Sequence, residues 1–209
     1  MRNILIIYPH WPPSNLAGVH RARLISNFLP DFNWHPIVLT VHADFYEEKL
    51  DYDFLKTVRS TTEVIKVQAK PVKSSNRFIG DITLRAFGAL KAKALELIQE
   101  RKIDFFWVPI PSFYSANLAR SIYNKCKIPY GIDYIDPWVD SFVGQEKLFS
   151  KAWLSNQIAK WMEPYAVKKA ALISGVDEAY YKPVLARNFK HKKIAHVGMP
   201  YGFDPLDHK

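Results

Sequence analysis

The stretch that decides the fold is NILIIYPHWPPSNLAGVHRARLISNFL, residues 3–29. It opens with an apolar run of strand length at residues 3–8, passes through a proline-rich loop and ends in a helix-period segment at residues 19–29. A buried strand that leads through a loop into a helix is the repeating unit of parallel α/β sheets. The sequence therefore predicts that the chain begins with such a unit.

The same alternation continues along the chain. Further strands are predicted at residues 36–41, 64–69, 104–108, 130–135, 171–175 and 193–197, and further helices at residues 83–102, 114–125, 150–169 and 178–187. The strands are continuous apolar runs, which is typical of a parallel sheet buried on both faces. We predict one α/β domain with a doubly wound, Rossmann-like parallel sheet in which the first strand is central.

Length and composition agree with this class of protein. The 209 residues suffice for one large domain, and 48% hydrophobic with 23% charged residues is ordinary globular composition. Cys126 is the only cysteine, which excludes an internal disulfide and a multi-cysteine metal site and favours a reducing compartment. The apolar run at residues 4–7 is shorter than the ~7–15 residues of a signal peptide or the ~20 of a membrane span. We expect a cytoplasmic protein.

The chain is basic, with 29 Lys and Arg against 20 Asp and Glu, a net charge of +9. Residues 66–102 contain three acids and nine bases, which are Lys66, Lys70, Lys73, Arg77, Arg85, Lys91, Lys93, Arg101 and Lys102. This segment predicts an anionic membrane surface as a partner, at the inner face of the membrane. The alternative is a solvated loop followed by a basic helix. Nucleic acid is not expected, because the aromatic residues fall in strands and helix stripes.

Two predicted helices have apolar stripes that indicate which face is buried. In the helix at residues 83–102 the stripe includes Leu90 and Leu97, and Arg85 lies opposite it. In the helix at residues 150–169 the expected core-facing stripe consists of Leu154, Ile158, Trp161, Met162 and Tyr165. Pro164 should kink this helix, because proline removes a backbone hydrogen bond.

The loop after the first strand is the first candidate for ligand binding. Ligands of open parallel sheets bind beyond the carboxyl ends of the strands, and the start of the following helix favours an anion. Gly18 would let a ligand approach the backbone closely. Arg21 should point to the ligand rim, or else form an ion pair with a strand-end carboxylate. His20 lies at the edge of the buried stripe, and Arg23 lies on the solvated side. His20 and His10 are candidates for ligand binding, and the alternative for both is that they are ordinary polar surface residues.

Two further loops carry polar side chains. Ser112 follows the strand at residues 104–108, where it either caps the next helix or contacts a ligand. Asp133 and Asp136 close the strand at residues 130–135, and such carboxylates need a partner or a role. Their alternative is the ion pair with Arg21. No G-x-G-x-x-G or G-x-x-x-x-G-K-[ST] pattern is present, which argues against dinucleotide and P-loop binding.

Together these motifs resemble bacterial family 4 glycosyltransferases of the GT-B fold. Residues 14–21 and 34–40 resemble the N-terminal part of the family's sequences, and residues 109–112 resemble its proline-serine loop. Residues 133–138 are similar to its Asp-Phe-Arg-Asp-Pro-Trp segment. Residues 163–176 resemble its long helix and following strand, and residues 202–204 resemble its crossover into the second domain. Ile135 is a departure, because the family often has Arg there. The absence of this Arg removes a positive charge, so the negative charges of Asp133 and Asp136 are less compensated.

The resemblance implies a retaining glycosyltransferase of polysaccharide biosynthesis, which transfers a sugar from a nucleotide-sugar to a glycan or lipid-linked acceptor. It implies no metal and no cofactor other than this donor substrate. Residues 1–200 would form the acceptor-side Rossmann-like domain and residues 201–209 the start of the interdomain crossover. The donor-binding domain would be absent, so the isolated chain is expected to be inactive and to act at the cytoplasmic face of the membrane.

The resemblance also implies roles for the candidate residues. Asp136 would position or polarise the acceptor hydroxyl, while Arg21 and the Gly18 N–H would stabilise the charge on the departing diphosphate. Substrate contacts would come from Gly18, His20, Ser112, Asp133 and Trp138. Two alternatives stay open: a non-catalytic module that binds glycan or lipid, and half of a GT-B nucleotide-sugar epimerase that needs no acceptor.

Overall fold

The computed structural model describes residues 1–72, 81–110, 113–139, 148–190 and 192–208. These ranges contain seven strands, which are β1 (Arg2–Ile7), β2 (Trp34–Val41), β3 (Glu63–Val67), β4 (Ile103–Ile110), β5 (Tyr130–Tyr134), β6 (Leu172–Gly175) and β7 (Ala195–Gly198). They also contain five α-helices, which are α1 (Ala17–Phe28), α2 (Ile82–Glu100), α3 (Phe113–Cys126), α4 (Lys151–Val167) and α5 (Glu178–Asn188). Every predicted strand and helix is present, and each observed end lies within two residues of its predicted position.

The strands form one parallel sheet in the order β3-β2-β1-β4-β5-β6-β7. The first strand is central, because Ile6 aligns with Val38 of β2 on one side and with Trp107 of β4 on the other. The predicted doubly wound, Rossmann-like topology is therefore confirmed. The strand order reverses between β1 and β4, so the loops after these strands diverge and leave a crevice at the carboxyl edge of the sheet.

Helices cover both faces of the sheet. On one face α2, α3, α4 and α5 pack over a core that includes Leu90, Ile122 and Val167. On the other face α1 places Val19 and Ala22 against side chains of β1 and β4. Burying one large aliphatic side chain in such a core contributes about 1.5–3 kcal/mol, so α1 is firmly held beside the crevice.

The expectation that Arg23 is solvated is wrong. Its side chain is buried, and its guanidinium donates to the carbonyl of Thr57 at 3.1 Å and to the carboxylate of Asp207 at 2.5 and 2.9 Å. The short 3-10 helices Tyr52–Thr57 and Pro205–His208 supply these partners. Helical spacing identifies the face of α1 that meets the sheet, but it contains no information about chain segments that return to cover the opposite face.

The expected solvation of Arg85 is also wrong. Arg85 is buried at the start of α2 and donates to the carbonyls of Lys70 and Phe45, both at 3.1 Å, and to Glu47 at 3.0 Å. The loops that follow β2 and β3 lie over this part of the helix. The guanidinium can be buried there because Glu47 balances its charge and both of its terminal nitrogens donate to acceptors.

The orientation predicted for α4 is wrong as well. Ala159, Ala166 and Val167 face the core, whereas Leu154, Ile158, Trp161 and Tyr165 of the predicted stripe are exposed and Met162 is half-buried. Glu163 is on the inner face, where Arg187 donates to its carboxylate at 2.9 and 3.0 Å. The helix continues through Pro164 to Val167. Small residues and one paired carboxylate allow closer packing than the larger apolar stripe would.

Candidate functional site

A cavity of about 400 Å³ lies at the carboxyl edge of the sheet. It is bounded by the loops after β1, β2 and β5 and by the first turn of α2, and its lining includes His10, Gly18, Glu47, Glu48, Asp81, Arg85 and Asp136. Gly18 and Asp136 were singled out in separate loops of the sequence. The fold brings them to one cavity because parallel strands place their carboxyl ends at the same edge.

Gly18 is required by the protein's own packing. A Cβ atom at this position would lie 2.0 Å from the hydroxyl oxygen of Tyr8 and 3.1 Å from Cδ1 of Ile135. Tyr8 is buried, and its burial raises the pKa of the phenol. The space that the sequence suggested for close approach of a ligand is therefore occupied by the Tyr8 side chain, although Gly18 itself still lines the cavity.

Arg21 and Asp133 form a buried ion pair between α1 and β5. The Nε and Nη2 groups of Arg21 donate to the two carboxylate oxygens of Asp133 at 2.5 and 2.7 Å, and Nη1 donates to the carbonyl of Met199 at 2.6 Å. Ser174 donates to the same carboxylate at 2.6 Å. The pair joins α1, β5, β6 and the segment after β7. The ion-pair alternative considered for Arg21 and Asp133 is thus what the structure contains.

Asp136 has a different environment. It is exposed at the rim of the cavity, directly after the buried side chain of Ile135. It forms no hydrogen bond or ion pair with any other residue that the structure describes. The alternative considered for Asp136 was an ion pair with Arg21. Among the described residues Arg21 pairs with Asp133 instead. Asp136 is therefore the predicted carboxylate that is open to a ligand.

The cavity also contains a pair formed by His10 and Glu48, which was not predicted from the sequence. Nδ1 of His10 lies 2.8 Å from Oε1 of Glu48, and the hydroxyl of Ser14 donates to the same oxygen. Burial lowers the pKa of His10, although Glu48 acts in the opposite direction. Burial alone would raise the pKa of Glu48, but the hydrogen bonds from Ser14 and His10 outweigh it and lower the pKa. Near neutral pH the pair is a neutral imidazole beside a carboxylate.

This protonation state fixes the tautomer of His10. A carboxylate only accepts hydrogen bonds, so Nδ1 carries the proton and Nε2 carries the lone pair. Nε2 has no hydrogen-bond partner within the described ranges. No sequence signal could have identified the pair, since Glu48 sits in a polar loop and lies 38 positions after His10.

The cavity is predominantly acidic. Glu47, Glu48, Asp81 and Asp136 line it, while Arg85 is the buried cation that pairs with Glu47. Asp81 also accepts from the backbone N–H of Leu84 and so caps α2. In the described part of the chain, no group of three or more His, Cys, Asp or Glu side chains is arranged to hold a metal ion. The arrangement is suited to accept hydrogen bonds from a polyhydroxylated ligand.

The other predicted site residues lie elsewhere. Nε2 of His20 lies 2.6 Å from Oδ1 of Asn15 and its ring packs 4.5 Å from Phe54, in a second cavity between α1 and residues 201–207. Burial lowers the pKa of His20. Trp138 is buried in the core beneath α2, α3 and α4, away from solvent. Ser112 lies outside the described residues, so its predicted roles stay predictions.

Comparison with known proteins relates this geometry to a known architecture. Neither the protein-family models nor the curated proteins contain a match to this chain. Solved structures do match. Sucrose-phosphate synthase from Thermosynechococcus elongatus superimposes with a TM-score of 0.61 at 14% identity, over 98% of this chain and 49% of that one. HepE from Anabaena, in complex with UDP and glucose, superimposes with a TM-score of 0.55 at 13% identity, over 98% of this chain and 45% of that one.

MurG from Acinetobacter baumannii gives a TM-score of 0.52 at 11% identity, over 95% of this chain and 45% of that one. The fold is that of a GT-B half-domain. The chain spans about half the length of each of these structures. The fold class inferred from the resemblance is therefore confirmed, and the acidic cavity lies at the carboxyl edge of the half-domain's sheet.

The basic segment at residues 66–102 of this half-domain is partly neutralised. Arg85 is buried against Glu47, Arg101 pairs with Glu63 at 3.0 Å and Lys93 pairs with Glu96. Lys73 and Arg77 lie outside the described residues. None of the helices in the described ranges is long and apolar enough to cross a membrane.

Proposed function

We propose that this GT-B half-domain is the acceptor side of a glycosyltransferase, which passes a sugar from a nucleotide-sugar to a glycan or lipid-linked acceptor. The observation that carries the proposal is the acidic cavity at the carboxyl edge of the sheet, where Asp136 and the His10–Glu48 pair lie together. Carboxylates accept hydrogen bonds from hydroxyl groups, and charge-assisted bonds of this kind are stronger than neutral ones.

Solved structures of similar fold support a nucleotide-sugar as the donor. Anabaena HepE has been captured with UDP-glucose, and a UGT transferase from Siraitia grosvenorii has been captured with UDP. Each of them has about twice the length of this chain. The donor would therefore be held opposite the acidic cavity by a second half-domain, and the two walls together would position the reactants and exclude water.

In the proposed reaction Asp136 orients the acceptor hydroxyl toward the anomeric carbon of the donor. Arg21 acts as a positioning residue, because all three of its donor nitrogens are engaged by Asp133 and Met199. It holds the start of α1 against β5, so that the backbone around Gly18 faces the cavity. The family resemblance favours a course with retention at the anomeric carbon, in which an oxygen of the departing diphosphate takes the acceptor proton and no side chain needs to remove it.

The His10–Glu48 pair favours a second course with inversion. Nε2 of His10 could take the proton of the acceptor hydroxyl while Glu48 stabilises the resulting imidazolium through Nδ1–H. The oxygen then attacks the anomeric carbon directly as the nucleoside diphosphate leaves. The anomeric configuration of the product, read by NMR, distinguishes the two courses, and only the inverting course requires His10 as a base.

The experiment that tests the proposal is saturation-transfer-difference NMR of the chain with a panel of mono- and disaccharides. Binding in the millimolar range, about −4 kcal/mol, is expected for one wall of a two-sided site. Binding should be weaker in Asp136→Asn, by about tenfold, and in Glu48→Gln, and it should be unchanged in Asp31→Asn, whose carboxylate does not line the cavity. Absence of binding by every saccharide would contradict the proposal, and turnover of a nucleotide-sugar without acceptor would support the epimerase alternative.

A further inference from the structure

The outer face of α4 exposes a row of large apolar side chains. Leu154, Ile158, Trp161 and Tyr165 are 54%, 45%, 81% and 49% exposed, and Phe149 just before the helix is 84% exposed. Their spacing of three or four positions places the four helical residues along one side of α4. Single exposed apolar residues are common, but a continuous row of this kind marks a surface that contacts another apolar phase.

The exposed charges of α3 and α4 have one sign in the part of the chain that the structure describes. These two helices together contain a single acid, Glu163, which is buried against Arg187. The exposed charged residues within these helices or within two residues of their ends are bases, namely Lys125, Lys127, Lys160, Lys168 and Lys169. An apolar row flanked by lysines complements an anionic lipid surface, because the apolar side chains enter the headgroup boundary while the bases meet the lipid phosphates.

The shape and residue types of α4 also suit a bilayer surface. Its 17 residues give a cylinder about 25 Å long, which can lie in the plane of the interface. Trp161 and Tyr165 are aromatic residues of the kind that settle at the headgroup level. Lys160 precedes Trp161, and its long aliphatic stem can cover apolar surface while its ammonium reaches a lipid phosphate.

We propose that the outer face of α4, defined by Leu154, Ile158, Trp161 and Tyr165, docks this domain on an anionic bilayer, with the exposed lysines of α3 and α4 contacting the headgroups. The proposal does not depend on sugar transfer. It rests on the apolar row of α4, whereas the sequence pointed to the basic segment at residues 66–102.

Vesicle flotation of the chain tests this proposal. Vesicles of phosphatidylcholine with about 30% phosphatidylglycerol should carry the protein upward, and the bound fraction should fall sharply between about 0.1 and 1 M salt. Pure phosphatidylcholine vesicles should carry much less. Trp161→Glu and Ile158→Glu should each lower the partition coefficient by about tenfold or more. These side chains are exposed, so the melting temperature should not change, and Lys160→Glu provides a second variant that leaves the apolar row intact.

The matched control is Phe32→Glu, which alters a side chain of comparable exposure just after α1, on the opposite face of the sheet. It should bind like the wild type. A second comparison uses Lys66→Glu with Lys70→Glu, two exposed bases of the other candidate segment. Loss of flotation in that variant, with Trp161→Glu unaffected, would overturn the proposal. A wild-type chain that ignores vesicles but forms a dimer abolished by Trp161→Glu would overturn it too, because a second copy would then cover α4.

Discussion

Arg21 and Asp133 meet through two parallel hydrogen bonds of 2.5 and 2.7 Å while both side chains are withdrawn from solvent. They are 112 positions apart in the chain. The pair connects the first turn of α1 with the end of β5. These two elements lie on opposite sides of the point where the strand order reverses, and this reversal creates the crevice. Residues of α1 and of the loop after β5 line the acidic cavity, so its geometry depends on this contact.

Truncation of this pair should unfold the domain more readily. Arg21→Ala leaves a buried carboxylate without its cation, and such losses typically cost about 3–5 kcal/mol. The free energy of unfolding from urea titration should fall by that order, with Asp133→Asn in the same direction. The double variant Arg21→Met/Asp133→Leu should be less destabilised than Arg21→Ala, because neither charge remains. Unchanged stability in Arg21→Ala, together with lost ligand binding, would instead assign Arg21 to a ligand.

Gly18→Ala should destabilise the domain, because the new Cβ would meet the Tyr8 hydroxyl at 2.0 Å. Displacing a buried tyrosine in a packed core costs about 1–3 kcal/mol. Chemical denaturation gives this value directly. Tyr8→Phe in the Gly18→Ala background should recover part of the loss, since it removes the clashing oxygen.

The control for this experiment is Gly88→Ala in α2, where an added Cβ meets nothing within 4 Å. Alanine is favoured over glycine inside a helix, so stability should rise by about 0.5–1 kcal/mol. Equal effects of Ala at positions 18 and 88 would show that Tyr8 does not occupy the space next to Gly18.

Stability should decline as the pH falls from neutral into the acid range, in part through the His10–Glu48 pair. The pKa of His10 in the native protein is lower than its usual value of 6.5. As the pH falls below 6.5, the unfolded chain therefore binds more protons than the native protein, and the free energy of unfolding declines. The lowered pKa of Glu48 has the same sign, and its contribution is present above the usual value of 4.5 and lost as the pH falls through the native pKa.

The measurement is the urea midpoint from about pH 7.5 to about pH 3. His10→Gln should flatten the decline around pH 6, and Glu48→Gln should flatten it at lower pH. His42→Gln changes an exposed histidine and serves as the control. An identical pH profile for the wild type and His10→Gln would exclude a contribution from the pair.

Acceptor binding should depend on the rim carboxylate. Asp136→Asn keeps the size of the side chain and removes only its charge, so it should weaken saccharide binding by about tenfold, equivalent to about 1.4 kcal/mol, while leaving the melting temperature unchanged. Isothermal titration calorimetry measures the first quantity and thermal unfolding the second. Loss of folding in Asp136→Asn would contradict the assignment, because Asp136 would then have a structural partner.

Much of the fold followed from the sequence alone. The alternation of apolar runs and helix-period segments identified the seven strands and five α-helices of the described residues, because each run reports the burial of its own residues. Parallel pairing then predicted that the loops containing Gly18, Ser112 and Asp136 share one edge. The structure places Gly18 and Asp136 at one cavity, and Ser112 lies outside the described residues. The resemblance identified the GT-B fold class, since its motifs recur in order along the chain.

Other features were decided only by the tertiary structure. The burial of Arg23 and Arg85, the outward orientation of the apolar row of α4 and the pairing of His10 with Glu48 each depend on segments that are distant in the chain. Periodicity shows that a helix has two kinds of face, but it does not show which face finds a neighbour. Small residues and one paired carboxylate gave α4 a closely packed inner face. The sequence by itself therefore determined the order of elements and the edge of the sheet at which the cavity lies, whereas packing between distant segments decided which polar groups line the cavity.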